Sequence, residues 1–228
     1  MTTTTTPTRP RLTWSYTSLS SFETCPRRFY LTKVSKEVVE PPYDHRAHGN
    51  IVHKLFENHV NGTEPLPKEH DDLRPIADRI KHEPARKECE MKVALTANLM
   101  PTTYFAKNVW FRGILDVAII KPTSVTVLDY KTGKRKPADD QLKLFAGVAM
   151  RVFPFAEKIT TGYLWLKEKK IDRAEYTRAD EASIWENFNR RVYRIEQAME
   201  ANNFPPRPSG LCREHCPVGK AHCEFCGE

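Results

Sequence analysis

The chain has 228 residues, 39% of them hydrophobic and 29% charged, enough for one domain with its own core or for one core plus a small appendage. Lys and Arg outnumber Asp and Glu by 36 to 29, giving a net charge of +7 and a pI near 9.1, a balance that suits a polyanion such as nucleic acid. No apolar run approaches the roughly 18–20 residues of a membrane span, and the opening MTTTTTPTRPRLTW lacks the apolar segment of a secretory signal, so a cytoplasmic protein with no membrane attachment is expected.

Residues 1–12, rich in Thr and Pro, have little to bury and read as a disordered leader. SYTSLSSFETCPRRFYLTKV (15–34) reads as a helix capped by Ser18 or Ser20, with Leu19, Phe22 and Phe29 facing inward. Pro41 and Pro42 break the chain. AHGNIVHKLFENHV (47–60) is helical, with Ile51, Leu55 and Phe56 as its apolar positions and His53 in its first turns. Residues 61–75 read as a surface loop and 76–87 as a short charged helix. Three strands follow. In ECEMKVALT (88–96), Met91, Val93 and Leu95 share one side; NVWFRGILDVAII (108–120) is long and apolar; SVTVLDYK (124–131) comes after a tight turn. DDQLKLFAGVAMRVF (139–153) is an amphipathic helix. ITTGYLWLKEKKIDRAEYT (159–177) supplies two strands around a charged turn, and EASIWENFNRRVYRIEQAMEANN (181–203) is a long helix with Ile184, Phe188, Val192 and Ile195 on one stripe. This order predicts a mixed α/β or α+β domain.

The chemistry concentrates in VLDYKTGKRK (127–136) and the strand before it. Strand alternation points Asp129 and Lys131 the same way, placing a carboxylate and an ammonium at the lip of a sheet. Asp116 is the acid of an otherwise apolar strand. Two ionised carboxylates on neighbouring strands repel, so their approach calls for a cation, and hard oxygen ligands suit Mg²⁺ or Mn²⁺. A plain salt bridge of Asp116 to Arg112 or Lys131 is the competing reading.

GILD followed by VLDYKTGK resembles the PD-(D/E)XK nuclease superfamily, and within it the RecB-like branch, where an Asp ends one strand, D-x-K ends the next and Thr-Gly follows. Here these are Asp116, Asp129, Lys131, Thr132 and Gly133. The upstream Gly and helical His of that branch match Gly49 and His53. The Gln opening the next helix matches Gln141, while the Tyr usually one turn later is Phe145, which keeps a ring and loses the hydroxyl. The acid of the preceding strand matches Glu90, with Glu88 as the alternative. The resemblance implies a restriction-endonuclease-like core, a central mixed sheet flanked by helices. It implies a Mg²⁺- or Mn²⁺-dependent deoxyribonuclease in which His53, Asp116, Asp129 and the backbone carbonyl of Tyr130 hold the metal, Lys131 acts on the attacking water, and Glu90 and Gln141 complete the catalytic set. The expected substrate is single-stranded DNA or DNA ends, cut by an exonuclease of replication, recombination or repair, with a phage or bacterial source in keeping. The alternative is a non-catalytic or partner-dependent DNA-binding subunit of a recombination or CRISPR-adaptation-like complex.

Four of the six cysteines fall in the last seventeen residues, spaced C-x3-C-x6-C-x2-C, a soft-metal pattern. Some RecB-like nucleases hold a [4Fe–4S] cluster with one N-terminal and three C-terminal cysteines. By that resemblance the ligands here are Cys25, Cys212, Cys216 and Cys223, with Cys226 as an alternative. A zinc site from Cys212, Cys216, Cys223 and Cys226, with His215 and His222 as stand-ins, competes, as does a tail that binds nothing. The expected organisation is a nuclease domain over 13–210 and a cysteine-rich metal-binding tail over 211–228, packed on the N-terminal helix. Arg112, Lys134, Arg135 and Lys136 are the main candidate DNA contacts, followed by Arg27 and Arg28, while Trp14, Tyr16 and Trp110 are candidate stacking rings.

Overall fold

A computed structural model describes residues 12–40, 44–137 and 140–227. The leader expected over 1–12 lies outside these apart from Leu12. The chain forms two compact units, residues 42–186 and residues 1–41 with 187–228.

The first unit is built on a five-stranded sheet in sequence order: β1 (Arg86–Leu95), β2 (Phe111–Ile120), β3 (Ser124–Lys131), β4 (Lys158–Trp165) and β5 (Lys170–Thr177). Neighbours pair antiparallel except β3 and β4, which are parallel. A parallel pair needs a crossover, and α5 (Gln141–Val152) supplies it. The sheet is therefore mixed and helix-flanked, as the sequence predicts. Arg178 ends α5 by donating to the carbonyls of Met150 (2.7 Å), Phe153 (2.9 Å) and Ala156 (3.0 Å). Gly147 makes room for Ile184, in the first turn of α6 (Glu181–Glu200), since a β-carbon there would lie 2.7 Å from it.

One face of the sheet receives α3 (Asp44–Asn61) and α4 (Arg74–Lys81): Val52, Phe56, Val60, Ala77 and Ile80 pack on Val117, Ile119, Leu128, Tyr130 and Leu164. The buried line of α3 is Val52, Phe56 and Val60, the i, i+4 spacing of a helix face. Ile51 lies a hundred degrees off that line and is 59% exposed, against the expectation that it faces inward. His53 sits mid-helix rather than in the first turns. The charged helix ends at Lys81, short of residue 87, because from Arg86 the backbone pairs with β2. The loop expected over 61–75 contains a 3₁₀ helix (Lys68–Leu73) and buries Leu66 and Leu73. His59 holds this segment, accepting from the Leu66 N–H at 3.0 Å and donating to Asp78 at 2.7 Å.

In the second unit, α1 (Tyr16–Thr24) is capped by Ser15, whose hydroxyl accepts from the Ser18 N–H. Ser18 returns the contact by accepting from the Ser15 N–H, so the cap lies three residues before Ser18 and five before Ser20. Trp14 stacks on Phe188 of α6, and Arg191 makes two 2.7 Å bonds to Glu23. Phe29 belongs to a separate short helix, α2 (Pro26–Phe29). A small core joins the ends of this unit: Leu31 and Val38 pack with Val218, Cys223 and Cys226.

Candidate active site

The site begins where β2 and β3 part. Their pairing ends at Val117 opposite Leu128, so Asp116 and Asp129 stand at a fork. Asp116 Oδ2 takes the Tyr130 N–H at 2.6 Å, substituting for the next rung of backbone. Through the same fork reaches His53 from α3. Its Nε2 lies 3.0 Å from the Tyr130 carbonyl oxygen, and its Nδ1 lies 3.4 Å from Asp116 Oδ2. Glu90 faces Asp116 from β1, between the pairs Cys89–Val117 and Met91–Leu115, with its carboxylate 4.0 Å from His53 Nδ1. The expected acid of that strand is thus beside the pair, while Glu88 stands two pairs further along, opposite Ala118. Glu90 has φ of +48°, the left-handed region that a non-glycine residue enters at a cost of roughly 1–2 kcal/mol. Such strain gathers at functional sites.

His53, Glu90 and Asp116 offer one ligand atom each within 4.8 Å of one another. Burial pulls the imidazole of His53 down, but the hydrogen bond and charge of Asp116, then the charge of Asp129, hold it above its ordinary value. Burial and the charge of Asp116 push Glu90 up. Asp129 rises to about 7, first by burial and then by Asp116, against the opposing charge of Lys131. The arrangement is an excess of buried negative charge, with a ring nitrogen and carboxylate oxygens converging. This donor set suits a hard divalent cation.

On the α5 side, Lys131 Nζ sits 2.7 Å from Asp129 Oδ2 and donates to Gln141 Oε1 at 3.1 Å. Gln141 Nε2 donates to Asp129 Oδ1 at 3.1 Å. Gln141 therefore ties acid and base together from the first turn of the crossover helix. Tyr163, which sequence reasoning missed, donates to the same Oε1 at 3.2 Å and lays its ring 4.6 Å from the Lys131 ammonium. Phe145 is buried in the core, and the phenol hydroxyl that reaches Gln141 is that of Tyr163 on β4. The parallel register puts Tyr163 beside Asp129. The alternation of ITTGYLW marks the face of Tyr163, but only the register reveals its neighbour.

Of the other predicted residues, Arg112 lies on β2 two alternations before Asp116, and Lys134 and Lys136 are exposed beyond β3. Arg135 is tied down: its guanidinium makes a two-point pair with Asp172, and its N–H reaches Glu168 at 3.3 Å. Trp14 is buried, which removes it as a stacking surface. Trp110 is half-buried, 6.5 Å from Trp185.

The cysteines divide. Cys25 Sγ accepts from the Arg207 N–H at 3.4 Å and Cys212 Sγ from the Ser209 N–H at 3.2 Å, donors two residues apart. Cys216, Cys223 and Cys226 interact with one another, and burial together with Cys216 and Cys223 pushes the Cys226 thiol up to about 12. Cys223 and Cys226 are buried together, with Cys216 packed against them. Gly227 passes so close to the Arg213 carbonyl that a side chain would collide, bringing Cys226 and Cys212 to the walls of one open pocket of about 430 Å³.

A family profile for the PD-(D/E)XK nuclease superfamily matches residues 13–224. The chain belongs to the PD-(D/E)XK nuclease superfamily, whose members use divalent metals. It is 31% identical over 144 residues to the gene 69 protein of Mycobacterium phage L5, a match covering 59% of this chain and 48% of that protein, so the chain spans about half its relative's length. Among solved structures it resembles the "Putative exonuclease" of Eubacterium rectale (10% identity, 89% of this chain and 86% of that one, TM-score 0.53). SSO0001 also matches (18% identity, 97% and 90%, TM-score 0.47). At these identities the likeness concerns the fold. Among the described residues no helix is long and apolar enough to cross a membrane.

Proposed function

We propose that the protein is a Mg²⁺- or Mn²⁺-dependent deoxyribonuclease acting as an exonuclease on single-stranded DNA or DNA ends. The observation that carries this is the convergence of His53, Glu90 and Asp116 beside an Asp129–Lys131 pair at the fork of β2 and β3. His53, Asp116, Asp129 and the Tyr130 carbonyl would hold the metal, with Glu90 beside them. Bound there, a divalent cation supplies Lewis-acid polarisation of a phosphoryl oxygen and a more acidic water. Lys131 keeps its ammonium directed into the site because Asp129 and Gln141 fix two of its donors. That ammonium orients the attacking water and offsets charge developing on the phosphate. The exposed Lys134 and Lys136 attract the backbone without reading sequence.

In the tail we propose a [4Fe–4S] cluster held by Cys216 and Cys223 with two of Cys25, Cys212 and Cys226. The soft thiolate set and its place at both ends of this unit support the cluster, and a zinc site from Cys212, Cys216, Cys223 and Cys226 is the rival reading. The cluster would fasten the N-terminal and C-terminal segments of its unit.

The test is cleavage of end-labelled single- and double-stranded DNA with Mn²⁺ or Mg²⁺. Metal-dependent degradation that disappears in Lys131→Ala is expected. A folded wild-type protein that degrades neither substrate with either metal would overturn the reading in favour of a non-catalytic or partner-dependent DNA-binding subunit.

A further inference from the structure

A second surface lies along the strands that carry Glu90 and Asp116. Strand alternation puts Arg112 and Ile114 on the face of Asp116, and Lys92 opposite Ile114 on β1. At 3.4 Å per residue, Arg112 lies roughly 14 Å from Asp116 along β2. The 96–110 connection folds back over this end of the face. Its base is fixed by the Leu95–Pro101 bridge, by Thr102 N–H to the Ala94 carbonyl (3.0 Å) and by Trp110 N–H to the Leu95 carbonyl (2.8 Å). A turn closed by Ala106 N–H to the Thr103 carbonyl (3.0 Å) presents Tyr104 and Phe105, their rings 5.1 Å apart and perpendicular.

The chemistry of this patch is specific. Lys92 Nζ lies 5.8 Å from the Tyr104 ring and 5.7 Å from the Phe105 ring, and the Arg112 guanidinium 5.4 Å and 6.0 Å from the same two. Two cations and two rings thus form one cluster, and Phe105 still exposes 76% of its surface. Arg112 Nε is buried without a hydrogen-bond partner, and among the described residues no carboxylate pairs with Lys92 or Arg112. Ile114, 38% exposed, continues the apolar strip toward Asp116. Cations lacking acids complement phosphates, and an open ring beside them complements an unstacked base. A duplex keeps its bases stacked and offers no such partner.

Resting on the nuclease reading above, we infer that Lys92, Tyr104, Phe105 and Arg112 form a single-stranded DNA-binding surface that leads an unpaired strand to Asp116. Phe105 stacks on a base, and Arg112 and Lys92 hold flanking phosphates. The strand is gripped a few nucleotides from the scissile bond, so an end must be unpaired over that distance before it is cut.

The test is equilibrium binding of a fluorescent oligothymidylate to the full-length chain, in a Lys131→Ala background without added divalent metal or chelator, beside a blunt duplex. Phe105→Ala is expected to weaken single-strand binding about tenfold, leave duplex binding unchanged, and be rescued by Phe105→Tyr. Arg112→Gln is expected to reduce the slope of log affinity against log salt by about 0.7, one phosphate contact. Phe105→Ala binding like its parent, or weakening duplex and single strand equally, would overturn the surface. So would a parent protein that binds no oligothymidylate. The nuclease reading fails separately, by wild-type protein with metal cutting neither substrate.

Discussion

The acidic site and the cysteine tail are two ways of gathering ligands. At the first, register does the gathering. Glu90 faces Asp116 because β1 and β2 pair on both sides of them, and Asp129 falls at the fork because β3 leaves β2 after Leu128. The positions of these carboxylates are set by backbone hydrogen bonds, although their charges repel. In the tail, the cysteines lie on short segments, and Cys212 opens a four-residue helix, α7 (Cys212–His215). Cys25 and Cys212 accept from backbone N–H groups two residues apart, while Cys216, Cys223 and Cys226 pack together. A sheet can hold an unfavourable cluster ready for its ligand. On the cluster reading, the tail would depend on its ligand for its own order.

The largest effect separates chemistry from architecture. Lys131→Ala should lower cleavage about 10³-fold, ~4 kcal/mol of transition-state stabilisation, with little change in melting temperature. A loss of activity that instead tracked unfolding in a thermal melt would mean that Lys131 serves the fold, and the contrast would weaken. The tail should show the reverse. Cys223→Ser, at a buried position of the Leu31–Val38–Val218 core, should release bound iron and destabilise its unit by about 3 kcal/mol or more. Metal analysis alongside circular dichroism checks both; full stability with no metal in the wild type would show a tail that stands alone.

A smaller effect tests the idea that the sheet stores strain. Glu90→Asn keeps a residue tolerant of positive φ while removing a carboxylate that faces Asp116. Relief of about 1 kcal/mol should raise the melting temperature by about 2–4 °C, while metal-dependent cleavage falls. A lower melting temperature without metal would make the Glu90 carboxylate part of the fold's stability.

The legible parts of this molecule are those where local pattern and chemistry coincide. VLDYK and GILD carried the site because alternation alone puts Asp129 and Lys131 on one face, and the resemblance supplied His53 and Gln141. The five strands were legible from β-branched runs between turns. Other features depend on contacts distant in sequence. Ile51 and Val52 are both apolar, and only the sheet beneath decides that Val52 turns inward. Arg135 reads as a free cation until β5 brings Asp172 to it. The Tyr104–Phe105 cluster stayed hidden because the 96–110 connection has no strand or helix period, and its partners Lys92 and Arg112 lie on different strands.

Tyr163 is the sharpest case, since its role is fixed by parallel pairing that no local pattern encodes. Gln141 must present nitrogen to Asp129 and oxygen to Lys131; a flipped amide would meet each with the wrong group. The Tyr163 hydroxyl adds a second donor at the oxygen and so favours the correct orientation. Tyr163→Phe keeps the ring against Lys131 and removes only that donor, a neutral hydrogen bond of about 1 kcal/mol. Cleavage should fall roughly fivefold through kcat, with KM and DNA affinity unchanged. Gln141→Ala should cost more, and adding Tyr163→Phe to it should cost almost nothing further, because the hydroxyl acts through the amide. If the two losses multiply instead, Tyr163 acts on Lys131 directly through its ring, and the hydroxyl is not what replaces the missing tyrosine of α5.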